Sequence, residues 1–283
     1  MSAEPHIMPS EPHPFTAPDA DLILRSSAPA PVEFRLHKCL LAAASPFFAH
    51  MFELPQPRDE RADAACIPVV DVSEDARTLE DLLRCVYPVA RPALATFEEL
   101  TAALEAAAKY DMPAATAHLR HELLAPRFVD ADPLRAYAIA CRFELEDEAR
   151  AASRATLRVR VLDAPLSDDL RHVSAWAYHR LLALHAQRGA AAQALLVLPD
   201  SVRCVMCNGT HYGAFYPPRW WKDYEARARK ELAARPTSDV VFGMGFLAES
   251  ARAGCERCAG SILDAHWFFE KLRKSIDELP DTV

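Results

Sequence analysis

Two short stretches of the 283-residue chain carry one pattern, Cys-x-x-Cys-x-Gly: Cys204-Val205-Met206-Cys207-Asn208-Gly209 and Cys255-Glu256-Arg257-Cys258-Ala259-Gly260. Two residues between thiolates let one tight turn present both sulfurs at about 2.3 Å from a tetrahedral ion, and a glycine just beyond can take φ > 0 and turn backbone N–H groups toward sulfur. Cys204, Cys207, Cys255 and Cys258 therefore make a candidate Zn2+ site. Four cysteine ligands leave no open position for water or substrate, so the zinc would be structural. Residues 208–254 separate the knuckles, a longer insert than the roughly 15–20 residues of a compact zinc ribbon. Two predicted helices, Arg219 to Ala234 and Ser238 to Ala253, return the chain to the metal. The same residues also allow four unligated thiols, or disulfides or a redox pair. A thioredoxin-like pair is disfavoured because neither motif follows a strand in a βαβ unit. His211 is close enough in sequence to substitute as a ligand, but with four cysteines present it reads as a neighbour.

Aromatic residues crowd the same region: Tyr212, Phe215, Tyr216, Trp220 and Trp221, then Trp267, Phe268 and Phe269. They read first as a core around the metal. The competing reading is a partner groove built from Tyr212, Trp220, Trp221 and Trp267. His179 and Trp176, further upstream, read as packing.

The remaining cysteines, Cys39, Cys66, Cys85 and Cys141, stand singly in apolar text, as buried thiols of a reducing compartment do. A hydrophobic content of 51% is enough for about two domains, and seven glycines in an alanine-rich background favour helix. The net charge of −8 with no Lys/Arg block argues against a nucleic-acid binder. No basic segment precedes an apolar run and a cleavage site, and no uncharged apolar stretch approaches about 18 residues. A soluble, intracellular protein that does not engage membranes is the expectation. No phosphate loop, nucleophile elbow or His-Glu-x-x-His helix marks an enzyme.

The elements that must position these residues follow from patterning. Met1 to Pro18 holds five prolines and reads as a disordered arm. Leu22-Ile23-Leu24 reads as a short strand, and Val32, Phe34 and Leu36 alternate with polar residues as a second. His37 to Ala44 is helical, and Ser45-Pro46 is a cap followed by proline at the first helical position. Pro55 to Ala65 reads as a loop and Cys66 to Val72 as a strand. Ser73 is the expected cap of the helix carrying Leu79, Leu82, Leu83 and Val86, and Thr96 to Glu99 forms a capping box. Helices are expected over Ala114 to Leu124, from Asp132-Pro133, over Leu145 to Leu157, and over Ala175 to Arg188, the last capped by Ser174 and closed by Gly189.

Within this order, Asp19 to Leu24, the run Phe34-Arg35-Leu36-His37-Lys38-Cys39-Leu40-Leu41-Ala42-Ala43-Ala44-Ser45-Pro46-Phe47-Phe48, and Met51-Phe52 resemble the opening of a BTB/POZ domain. Leu79 to Tyr87 is similar to that family's "Leu-x-x-x-Tyr" helix, and Leu104 to Met112 to its "Leu-x-x-Ala-x-Lys-Tyr-x-Met" helix. Tyr137 to Phe143, with the following Leu145 to Ala149, resembles the helical extensions of BTB proteins from fungi. The resemblance implies an α+β fold in which helices wrap a small sheet, used for dimerisation and partner docking. By position, Asp21 matches the family's buried Asp, and His37 and Lys38 its His-Arg/Lys pair, which the resemblance gives structural or interaction roles, that of His37 being structural rather than catalytic.

The resulting organisation is a disordered arm over 1–18, a BTB/POZ-like domain over 19–125, a helical extension over 126–200 and a helical zinc-binding module over 201–283. The leading functional expectation is a protein–protein interaction module, a homodimer or a docking platform, with a zinc-stabilised helical region. A second is a substrate adaptor for a cullin-type ubiquitin ligase. Glu53 to Glu60 lacks a clear hydrophobic-x-Glu element, which argues against cullin binding. A third, from another class, is a zinc-containing transcriptional regulator associated with nucleic acid, against which the acidic balance weighs.

Overall fold

The structure is a computed structural model that describes residues 13–54, 67–211 and 214–283. It divides into two compact units, Met1–Ala125 and Pro126–Val283.

In the first unit, β1 (Leu22–Arg25) pairs antiparallel with β2 (Glu33–Leu36), placing Leu22 opposite Leu36 and Leu24 opposite Phe34. All four side chains are buried, as the period-2 pattern requires. Helices α1 (Lys38–Ala44) and α2 (Pro46–Glu53) follow. Ser45 caps α2 by accepting the Phe48 N–H at 3.1 Å and donates its own hydroxyl to the Tyr110 carbonyl, so this cap is also a tertiary tie. The third strand, β3 (Val69–Asp71), pairs parallel with β1 and is shorter than the expected 66–72; Cys66 and residues 55–65 lie outside the described residues.

Helices α3 (Ala76–Val86), α4 (Phe97–Lys109) and α5 (Pro113–Leu123) cover the sheet. The cap of α3 is Asp75, whose carboxylate accepts the Thr78 N–H at 2.9 Å. Ser73 is not the cap, because its hydroxyl accepts from Lys109 Nζ instead. Thr96 and Glu99 form the expected capping box on α4. The proline-rich arm is anchored at its end: Phe15 is buried against Phe34 and Tyr87, and its carbonyl accepts the Arg35 N–H at 3.0 Å. Burying that ring offsets the cost of ordering this end of the arm, which also bridges β2 where Thr16 stands beside Arg35.

The second unit is helical, comprising α6 (Pro126–Val129), α7 (Pro133–Arg142), α8 (Glu146–Thr156), two 3-10 turns and α9 (Ala175–Ala194), and then the hairpin of β4 (Gly209–His211) and β5 (Ala214–Tyr216). It ends with α10 (Arg219–Ala234), α11 (Met244–Arg252), α12 (Cys258–Asp264) and α13 (His266–Asp277). Asp132 and Ser174 cap α7 and α9 as expected. Gly189 does not end α9. It lies inside the helix where an added Cβ would stand 3.0 Å from the Leu232 carbonyl oxygen of α10, so its lack of a side chain serves close packing. The helix predicted to begin at Ser238 begins at Met244, after Gly243.

Beside Gly189 the Arg188 side chain is buried, and its guanidinium donates to the carbonyls of Pro236 (2.8 Å), Ile276 (2.9 Å), Pro280 (2.9 Å) and Leu279. These oxygens lie at or just beyond the C-terminal ends of α10 and α13, where helices leave carbonyls without partners and the helix dipole favours a cation. One side chain thus closes two helix ends against α9. Arg188→Met should cost roughly 3 kcal/mol or more in denaturant unfolding, because several buried carbonyls lose their donors together. A loss under about 1 kcal/mol would contradict this role.

Candidate metal centre and interaction face

The two knuckles reach one point although corresponding cysteines lie 51 positions apart in the chain. The first knuckle is closed on itself by Asn208, whose Oδ1 accepts the Cys204 N–H at 2.5 Å. The second lies between α11 and α12, with Cys258 as the first residue of α12. Arg227 of α10 fixes α11 by donating to the Phe246 carbonyl, the Ser250 hydroxyl and the Glu249 carboxylate, each at 2.6 Å. Ser261 of α12 donates to the Arg203 carbonyl at 2.9 Å and accepts from Trp220 Nε1 at 3.0 Å, joining both knuckles to α10.

The sulfurs of Cys204, Cys207, Cys255 and Cys258 all lie within 4.8 Å of one another. Cys204–Cys255 and Cys207–Cys258 are separated by 3.5 Å, Cys255–Cys258 by 3.6 Å and Cys204–Cys258 by 4.0 Å. Metal–sulfur bonds of about 2.3 Å at tetrahedral angles put the sulfurs about 3.8 Å apart. The separations bracket that edge, so the residues fit a four-coordinate ion.

Backbone donors complete the site. The Arg219 N–H approaches Cys207 Sγ at 3.4 Å, the Cys255 N–H reaches Cys258 Sγ at 3.2 Å, and the Trp220 N–H also serves Cys258. Arg219 and Trp220 open α10, so amides that a helix leaves unpaired are spent on sulfur at the positive end of the dipole. Desolvation, reinforced by hydrogen bonds from the other three sulfurs, pushes the Cys207 thiol up to about 12. Cys255 is also opposed by desolvation, yet the Arg257 N–H and the neighbouring sulfurs draw it down to about 7. Four thiolates this close repel one another, and a cation relieves that repulsion.

Gly260 does not turn amides toward sulfur through positive φ. It lies inside α12 with ordinary helical backbone and open space around it. The glycine that matters is Gly254, where an added Cβ would stand 2.4 Å from Cys258 Sγ. Neither Gly254 nor Asn208 announces its role by type or spacing, since each contact exists only once the knuckle is folded.

Among the aromatic residues, Trp220 (0% exposed) and Trp221 (3%) are core, packed with Tyr224, Phe268 and Phe269 around Cys204 and Cys258. They cannot line a partner groove, because α10 turns both rings inward. Trp267 remains 44% exposed. Tyr212 and the side chain of His211 lie outside the described residues.

In the first unit Asp21 is exposed, not buried, and its Oδ1 accepts the Lys38 N–H at 2.7 Å, supplying the start of α1 with the cap that His37 does not give. The His37 N–H donates to the Tyr87 hydroxyl at 2.9 Å, and its Nε2 lies 3.4 Å from Asp19. Lys38 Nζ sits 5.9 Å from the Phe52 ring centroid. The three residues therefore set the entry into α1 and α2. From those helices and the residue after them Leu40, Phe47 and Leu54 are exposed to solvent. Cys39 is exposed, Cys141 half-buried and Cys85 buried, so the expectation of buried thiols holds for Cys85 alone of these three. Burial pushes the Cys85 thiol up to about 12.

The BTB/POZ domain family profile matches residues 19–126. The chain contains a BTB/POZ domain. The three-stranded sheet, the α1–α2 pair and the covering helices are the BTB/POZ portion, an α+β unit, and the four-cysteine cluster lies beyond it. No curated protein matches the chain. Among the described residues no helix is long and apolar enough to cross a membrane.

Gly254→Ala should weaken metal binding about 10–100-fold in a chelator competition, the range expected for disturbing groups that orient ligands. Gly260→Ala, with nothing within 4 Å of its added Cβ, is the control and should bind as wild type. Equal affinity in the two variants would contradict the geometry.

Proposed function

We propose that the protein is a non-enzymatic interaction protein whose BTB/POZ domain self-associates through the α1–α2 face, while a zinc ion held by Cys204, Cys207, Cys255 and Cys258 stabilises the helical unit beyond it. BTB/POZ domains are protein–protein interaction modules, and the match over residues 19–126 is the observation that carries this reading. The exposed Leu40, Phe47 and Leu54 supply apolar area for a like surface on a second copy. For the metal, an all-thiolate tetrahedral donor set suits zinc and closes its coordination sphere. The helical extension over 126–200 and the zinc module over 201–283 act together as the rigid part that a partner would read. Its compartment is intracellular, where thiols stay available to metal.

Sedimentation of the full chain at tens of micromolar should give twice the 31.4 kDa chain mass. Phe47→Glu should weaken association by more than about thirtyfold, the loss expected when a central apolar contact is replaced by a charge. A wild-type monomer at that concentration, or a Phe47→Glu dimer of unchanged strength, would overturn self-association through this face.

A further inference from the structure

We propose that the four-sulfur centre is an oxidant-responsive switch in which two disulfides between the knuckles, Cys204–Cys255 and Cys207–Cys258, replace the metal. This rests on reading the cluster as a metal centre. Four cysteines can pair in three ways. One of the three, Cys204–Cys255 with Cys207–Cys258, joins two pairs that both stand at 3.5 Å, whereas the other two include a longer separation, Cys255–Cys258 at 3.6 Å or Cys204–Cys258 at 4.0 Å.

Cys204 and Cys258 are buried, whereas Cys207 and Cys255 are half-buried. The Cys204–Cys255 and Cys207–Cys258 pairs thus each join a half-buried residue, the more accessible to a small oxidant, to a buried one, as the two within-knuckle pairs also do. A peroxide that oxidises Cys255 or Cys207 to the sulfenic acid leaves that sulfur against a buried thiolate, which displaces hydroxide and closes the disulfide. Closing a pair from 3.5 Å to about 2.05 Å asks for about 1.5 Å of sulfur movement, within the reach of side-chain rotation.

The balance is simple. Four thiolates give up four electrons, two molecules of hydrogen peroxide take them up, and two disulfides and four hydroxide ions result. The hydroxides leave as water with four protons from solvent, and the divalent cation, its redox state unchanged, enters solution.

The consequence concerns the fold as well as the metal. Each disulfide joins residues 51 apart, the same segments that the metal joins, so the oxidised chain exchanges one cross-link for another at one place. The metal-free oxidised protein stays folded, and the metal-free reduced protein does not.

The test uses the full chain. Elemental analysis of fresh protein comes first, and absence of metal at this step overturns the metal reading itself. Metal-loaded protein is then titrated with hydrogen peroxide while a chromogenic chelator reports release, and the peptides are mapped by mass spectrometry without reduction. The expected result is one metal released for two peroxide molecules consumed at the cluster, with peptides linked 204–255 and 207–258. Reductant and metal together should restore the starting form. Limited proteolysis should cut the region 201–283 at least tenfold faster after chelation under reductant than after oxidation. Metal retained under excess peroxide, bonds within each knuckle, sulfonic acids in place of disulfides, or equal proteolysis of the two metal-free forms would overturn the switch. Because these measurements need no variant, failure of a cysteine mutant to fold does not enter.

Discussion

Four sulfurs that come from two distant stretches of chain must stand within 4.8 Å of one another, and the C-terminal half of the second unit is arranged around that requirement. Such a cluster without a cation is costly, because thiolates repel and buried thiols lose water. With a cation the same four groups become a cross-link. What the fold supplies is position: Asn208 closes one knuckle, Gly254 leaves room for the sulfur of the other, and the first amides of α10 face the cluster. Trp220 then carries the constraint into the core, since its backbone serves Cys258 while its ring packs on Phe269 and its indole N–H reaches Ser261.

The BTB/POZ domain meets a different requirement. Among the described residues its sheet has three strands, and stability has to come from helices that bury Leu22, Leu24, Phe34 and Leu36 beneath them. The Ser45 hydroxyl, fully buried, caps α2 and ties it to the end of α4, so local and tertiary requirements meet in one side chain. On the outer side of these helices Leu40 and Phe47 remain exposed, and exposed apolar side chains grouped on one face suit a partner.

Legibility in the sequence followed the range of the interaction. The knuckles, the Ser45-Pro46 start, the Thr96 capping box and the span of α10 could all be read because each is decided by residues within a few positions of one another. Local text misled where a distant contact decided the outcome. Gly189 has the composition of a helix stop, but α10 packs against it and α9 continues. Ser73 has the composition of a cap, but Lys109 engages it and Asp75 takes the role. Trp220 and Trp221 could face outward on a helix considered alone, and only the convergence of α10, α12 and α13 buries them. Arg188 carries no local signal of its role, because its four carbonyl partners come from residues 236 to 280.

The central claim, that a metal held by the four cysteines organises α10 and α12, is tested most directly by amide hydrogen exchange on the full chain under reducing conditions, before and after chelation. The account predicts one zinc per chain beforehand and, on its removal, at least about a hundredfold faster exchange at Arg219, Trp220 and Ser261, while amides of β1 and α4 in the BTB/POZ domain keep their protection. Unchanged protection at Arg219 and Trp220 after the metal has gone, or a uniform loss across both units, would contradict it.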